Sequence, residues 1–169
     1  MYRIPQSRDG AHQGAHREKE MAKLIRKART DDLSRIAEIL VFDKRIHFRP
    51  IFRDDDYAFN TLQVLKVAEA YAQPRILEHI HVYDDGIVKG LIHIEGTEIV
   101  ELYVDDFFQS QGVGGALIEF AKQVYLADHL WAIEKNTASV AFYKSHGFRL
   151  SGEKKLEEGT TEYLVKMVR

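Results

Sequence analysis

The stretch from Glu98 to Leu117 constrains this chain most: Glu-Ile-Val-Glu-Leu-Tyr-Val-Asp-Asp-Phe-Phe-Gln-Ser-Gln-Gly-Val-Gly-Gly-Ala-Leu. Its first half, Ile99 to Val104, is short and mostly β-branched or aromatic, as a core strand would be. Its second half carries Gly112, Gly114 and Gly115, and an apolar spacing opens there at Val113, Ala116, Leu117, Phe120, Ala121 and Val124. Steps of three and four put those side chains on one face of a helix. Strand, glycine turn and helix in this order leave backbone N–H groups free at a positive helix end. That is a site for an anion, most naturally phosphate.

Two common phosphate loops do not fit. A Walker loop needs Gly-Lys-Ser/Thr, whereas Gly114 is followed by Gly115 and Ala116. A dinucleotide fingerprint needs a third glycine where Leu117 stands. What remains is Gln109-x-x-Gly112-x-Gly114. A second pattern follows in Leu130 to Phe148: a strand, then Asn136, then a short helix with Ala141, Phe142 and Tyr143, then Gly147-Phe148. The pair of patterns, in this order and at this separation, resembles the GNAT superfamily of acetyl-CoA-dependent N-acetyltransferases.

The resemblance covers roughly Lys23 to Val168. It implies an α/β (α+β) fold with a mixed, mostly antiparallel sheet of about seven strands flanked by helices. One strand pair would splay to admit acetyl-CoA, the cosubstrate. Gln109, Ser110, Gln111, Gly112, Val113, Gly114 and Gly115 would cradle the pyrophosphate. The loop carries no lysine or arginine, so backbone N–H groups, the helix dipole and the Gln109 amide would do the holding. Leu102, Tyr103 and Val104 would pair with the pantetheine arm, one of their N–H groups polarising the thioester. Asn136, Ser139, Phe142 and Tyr143 would complete the cofactor side.

Tyr143 is the implied general acid, since a phenol with pKa near ~10 is protonated before the thiolate leaves. The general base is open between Glu101, Glu98 and water, with Glu101 preferred because it adjoins Leu102 to Val104. The two glutamates are three apart and face opposite ways in a regular strand; a bulge would bring them to one face. Gln111 stands where the family often has Arg or Lys, and Asp106-Phe107 where proline is frequent.

With 169 residues, 45% of them hydrophobic, the chain suits one domain, residues 21–169. Residues 1–20 are polar with no apolar period and read as a flexible extension or tag, with Met21 as an alternative start. Charge is nearly balanced, 24 basic against 26 acidic residues, which gives no basis for nucleic-acid or membrane-surface binding. The chain has no cysteine, which excludes disulfides and thiolate chemistry. A cytoplasmic protein is the expectation. The acceptor would be a small amine or a peptide amine, with a homodimer left open.

Elsewhere, Lys23 to Ala28 reads as a strand and Thr30 as the cap of an amphipathic helix through Val41. Asp54 to Asp56 precede a helix over Tyr57 to Tyr71 and read as a solvated start rather than an amine trap. Ile76 to Tyr83 and Ile87 to Ile94 form a hairpin about Asp84-Asp85-Gly86. His79, His81 and His93 read as sheet histidines rather than metal ligands, and His12 and His16, four apart, as residues of a polar tail rather than a metal pair. Phe148 to Gly152 and Thr161 to Val168 read as final strands joined by the charged segment Glu153 to Gly159. Two other functions compete: a non-catalytic acyl-CoA-binding module, and a nucleotide-phosphate binder lacking the usual Lys-Ser/Thr.

Overall fold

The computed structural model describes the backbone of residues 9–169, and side chains from residue 13 except those at 15 and 18. Seven strands form one sheet in the order β1-β2-β3-β4-β5-β7-β6. They are β1 (Ile25–Lys27), β2 (Ile80–Asp84), β3 (Val88–Glu95), β4 (Glu98–Val104), β5 (His129–Ile133), β6 (Arg149–Leu156) and β7 (Tyr163–Val168). All neighbours are antiparallel except β4 and β5. The mixed, mostly antiparallel sheet is the expected one.

Each face of the sheet carries its own core. Helix α2 (Leu33–His47) buries Ile36, Ala37, Ile39, Leu40 and Val41 against Val82, Leu91 and Tyr103, with α4 (Val64–Tyr71) beside it. Helix α6 (Val113–Val124) buries Val113, Ala116, Leu117, Ile118 and Ala121 against Ile92, Ile99 and Val104 on the other face. Each fully buried Ile or Leu contributes about 1.5–3 kcal/mol of transfer free energy. The two stripes clamp β3 and β4, and so fix the strand from which the glycine loop departs.

Several elements differ from the sequence expectation. Helix α1 (Asp9–Ala22) covers most of the stretch expected to be an irregular tail; residues 1–8 lie outside the described residues. Gly10 and Gly14 weaken its intrinsic propensity. Tertiary contact supplies the rest: α1 packs on α6, and Met21 joins that core. His16 is exposed on this helix, and the side chain of His12 lies outside the described residues.

Asp32, not Thr30, bonds the backbone at the start of α2, its Oδ2 accepting from Arg29 N–H at 2.7 Å. The expected helix over Tyr57 to Tyr71 is split into a π turn (Tyr57–Thr61) and α4, because buried Leu62 leaves helical geometry between them. Two single-turn helices, α3 (Arg49–Phe52) and α5 (Pro74–Leu77), each begin beside a proline, which fits a first helical turn. β6 runs on through Leu156, into the segment expected to connect strands. As an exposed edge strand with irregular pairing around Gly152 (φ +93°), it shows no alternation in sequence.

Candidate active site

β4 and β5 pair only at Glu98 with His129 and Ile99 with Leu130. Beyond that point β5 continues on β7 while Glu101 to Val104 stay with β3. The parallel pair therefore splays, and Leu102, Tyr103 and Val104 present an unpaired backbone edge toward the gap. This is the slot expected from the sequence.

The glycine loop closes one end of the slot. Gly112 sits at φ +89° as the cap of α6, and Ser110 is also left-handed at φ +59°. The first helical N–H with a backbone acceptor is that of Ala116, bonded to the Gly112 carbonyl. The N–H groups of Val113, Gly114 and Gly115 thus have no acceptor among the described residues at the positive helix end. Phe142 packs behind the loop, and a methyl on Gly114 would stand 3.2 Å from its Cζ. The Gln109 amide is turned inward: its Nε2 donates to the Val104 carbonyl (3.3 Å) and to Asp106 Oδ1 (2.7 Å). Gln109 braces the loop, and among the described residues Gln111 reaches only the Phe107 carbonyl.

α7 (Thr137–Ser145) borders the slot from the β5 side. Asn136 caps it, Oδ1 accepting from Ser139 N–H at 3.2 Å. Tyr143 packs between Phe142 and Phe148, with ring centroids 5.3 and 6.3 Å away. Its hydroxyl has no hydrogen-bond partner among the described residues. Burial first, and the Asp43 charge second, push the phenol well above its ordinary range, so it stays protonated at any ordinary pH.

Glu101 lies on the α2 side. The pairing of β3 with β4 skips Val100, and this bulge lets Ile99 and Leu102, three apart, share the α6-side core. Glu98 and Glu101 accordingly share the opposite face, the arrangement left open by the sequence. Glu98 meets His129, 3.7 Å away, outside the slot. Glu101 accepts a short hydrogen bond from the Tyr71 hydroxyl, a longer one from Tyr103 (3.4 Å), and lies 3.7 Å from His93 Nδ1. Burial opposes its charge, but His93, the Lys44 charge and Tyr71 outweigh burial and hold it below the usual glutamate range. His93 rises in answer, its burial overcome by Glu101 and Glu95.

A third cluster was not anticipated. Asp43 and His47, one turn apart on α2, meet Asp106 from the loop, with His47 Nε2 at 3.8 and 3.1 Å from their carboxylates. An Asp and a His spaced i, i+4 on an amphipathic helix was the available signal. Its link to Asp106 depends on the course of the loop. Of the three histidines, His79 and His93 stack with ring centroids 6.5 Å apart, His93 also facing Glu101, while His81 lies apart and bonds Tyr125.

A splayed parallel pair, a helix end with free N–H groups and a protonated tyrosine at the gap together define an acyltransferase-type site. The model of the acetyltransferase (GNAT) domain matches residues 54–168, more than half of the chain. The chain belongs to the GNAT acetyltransferase family. It is 29% identical over 69 residues to the peptidyl-lysine N-acetyltransferase YjaB of Salmonella typhimurium, covering 41% of this chain and 48% of the relative. The chain thus matches about half the length of that curated relative. The apo solution structure of YjaB from Escherichia coli superposes with TM-score 0.69 at 19% identity, over 85% of this chain and 95% of that one. The PaiA N-acetyltransferase of Thermoplasma acidophilum, solved with coenzyme A, gives TM-score 0.55 at 17% identity, over 86% and 98%. At such identities the structural likeness speaks for the fold. No helix among the described residues is long and apolar enough to cross a membrane.

Proposed function

We propose that this chain is an N-acetyltransferase of residues 21–169, cytoplasmic, that moves the acetyl group of acetyl-CoA onto a primary amine by direct attack. The observation that carries this is the splay of β4 from β5 beyond Ile99 and Leu130, with free α6 N–H groups at one end and Tyr143 on its flank. The pyrophosphate would rest on the N–H groups of Val113, Gly114 and Gly115, over a loop whose glycines admit close approach. Ser110, Gln111 and Gly112 shape that cradle, while Ser139 and Phe142 hold the flank of the arm. Asn136, its Oδ1 spent on the cap, has its NH₂ for the pantetheine.

The unpaired edge of Leu102 to Val104 would bond the pantetheine and offer an N–H to the thioester carbonyl oxygen. Attack by the amine breaks the C–S bond, and the Tyr143 hydroxyl protonates the departing thiolate. Glu101 belongs to the acceptor side of the same slot. The similarity to a peptidyl-lysine acetyltransferase favours a lysine side chain as acceptor.

Titration calorimetry with acetyl-CoA, CoA and ATP tests the cofactor half. Acetyl-CoA and CoA should bind in the micromolar range and ATP should not compete. Binding of ATP in preference to CoA would overturn the reading. CoA binding with no amine-dependent thiol release would leave only an acyl-CoA-binding module.

A further inference from the structure

Glu101 is a poor recipient for the acceptor's proton. Both of its oxygens already accept from phenols, and His93 faces it. Accepting a further proton would break bonds that the fold has built around the charged form. Another carboxylate lies on the same side of the slot. Asp43, on α2, lines a groove with Glu38, Phe42, Ile46, Asp106 and Phe107. The next residue of α2, Lys44, stands over the Tyr103 ring, 6.0 Å from its centroid, so this turn of the helix packs beside the splayed end of β4.

The groove suits a lysine side chain. Phe42, Ile46 and Phe107 expose large apolar surfaces at its rim, able to cover a four-carbon stem. Asp43 is only 14% exposed, while His47 beside it is 38% and Asp106 is 35% exposed. The three groups therefore run from the inside of the groove to solvent.

We propose that Asp43 takes the proton of the acceptor ammonium and that His47 and Asp106 relay it to water. This rests on the acetyltransferase reading above. The ammonium gives one proton to the Asp43 carboxylate and becomes a neutral amine. Its lone pair attacks the thioester carbon, the C–S bond breaks, and the thiolate takes the Tyr143 proton. The nitrogen's second proton replaces the one Tyr143 gave, so one proton in all reaches solvent. An imidazole is suited to pass it, since one ring nitrogen can take a proton while the other gives one up.

Burial raises Asp43 to about 6, with Asp106 pushing the same way and His47 and Lys44 opposing. A carboxyl so raised is a better match to an ammonium than an exposed aspartate. Tyr103 on β4 and Tyr143 on α7 are the other titratable groups facing it, and Glu38 and Asp105 line the same groove. Glu101 then acts as a positioning residue that fixes Tyr103.

The test is the pH profile of kcat/KM on a lysine peptide for the wild type, Asp43→Asn and Glu101→Gln, with acetyl-CoA affinity and Tm measured alongside. Asp43→Asn should lose at least about 30-fold at pH 7, keep its acetyl-CoA affinity, and recover toward wild type near pH 10, where the amine deprotonates unaided. Should that variant not fold, His47→Gln serves, expected to lose several-fold and to be rescued by added imidazole. An unchanged profile in Asp43→Asn, or a His47→Gln variant indifferent to imidazole, would overturn the proposal while leaving the acetyltransferase reading intact. A wild type silent on every amine would overturn that reading and this proposal with it. Loss of wild-type activity in EDTA, restored by Zn²⁺, would also overturn the relay, because the same groups would then hold a metal.

Discussion

Replacing Tyr143 with phenylalanine isolates one proton. The ring sits between Phe142 and Phe148, and phenylalanine keeps both contacts. The hydroxyl bonds to nothing among the described residues, so its removal strands no partner. The stability change should stay within about 0.5 kcal/mol. For a chain of this size that is a Tm shift of about 2 °C or less. The chemical cost is of another order. General-acid catalysis contributes roughly 10²- to 10⁴-fold, so kcat should fall at least about 100-fold, or about 2.7 kcal/mol of barrier. Because burial keeps this phenol protonated throughout, the loss should be the same at pH 6 and pH 9. Steady-state thiol release with saturating acetyl-CoA reads kcat, and calorimetry reads cofactor affinity. A variant of unchanged Tm that turns over within threefold of wild type would falsify the acid role. A loss of turnover matched by a large drop in Tm would mean that the hydroxyl serves the fold rather than supplying a proton.

Two further substitutions probe the frame around the site. Gly90 lies in β3 where a methyl would come within 2.9 Å of the Tyr103 carbonyl oxygen and 3.1 Å of Val113. Neither neighbour has room to give, so Gly90→Ala should destabilise by about 1–3 kcal/mol and lower Tm by about 3–10 °C; an unchanged Tm would show that β4 is less tightly clamped than described. His81 is buried, its Nδ1 has no partner among the described residues, and burial, ahead of the Lys27 charge, holds it down to about 4. The unfolded chain takes that proton near 6.5, so between about 6.5 and 4 it carries more protons than the fold, and stability falls as pH falls. His81→Leu should flatten the stability slope across that window in urea titrations at pH 7 and 4.5; an identical slope in both proteins would refute the assignment.

The sequence revealed most where local chemistry decides the structure. The cap at Gly112, the stripe of α6 and the turn at Gly147 depend on neighbours within a few residues, and each is where the spacing puts it. The bulge at Val100 was visible only as an option, because a bulge is a property of two strands and only the pairing with His93 and Ile94 decides it. Helix α1 was hidden because its own residues favour it weakly and its docking on α6 is remote in sequence. β6 was hidden for the converse reason, an edge strand with no buried face to imprint a period.

At the site, the positions of Tyr143 and of the Val113 to Gly115 N–H groups were legible from motif order. Gln109 and Asn136 were legible as positions, but their side chains serve the loop and the helix cap. The surroundings of Glu101 were not legible, since Tyr71, His93 and Tyr103 come from three separate elements. Nor was the cluster of Asp43, His47 and Asp106, which spans a helix and a loop joined only in three dimensions.

The central claim is acetyl transfer to an amine. The most direct measurement is thiol release from acetyl-CoA, followed with a thiol-reactive dye across lysine peptides, free amino acids, polyamines and aminoglycosides. The chain has no cysteine, so the protein adds no thiol of its own. Release that depends on lysine peptides, with the acetyl mass found on the lysine side chain, is the predicted result. Absence of release with every amine, in a protein that still binds acetyl-CoA, would contradict it.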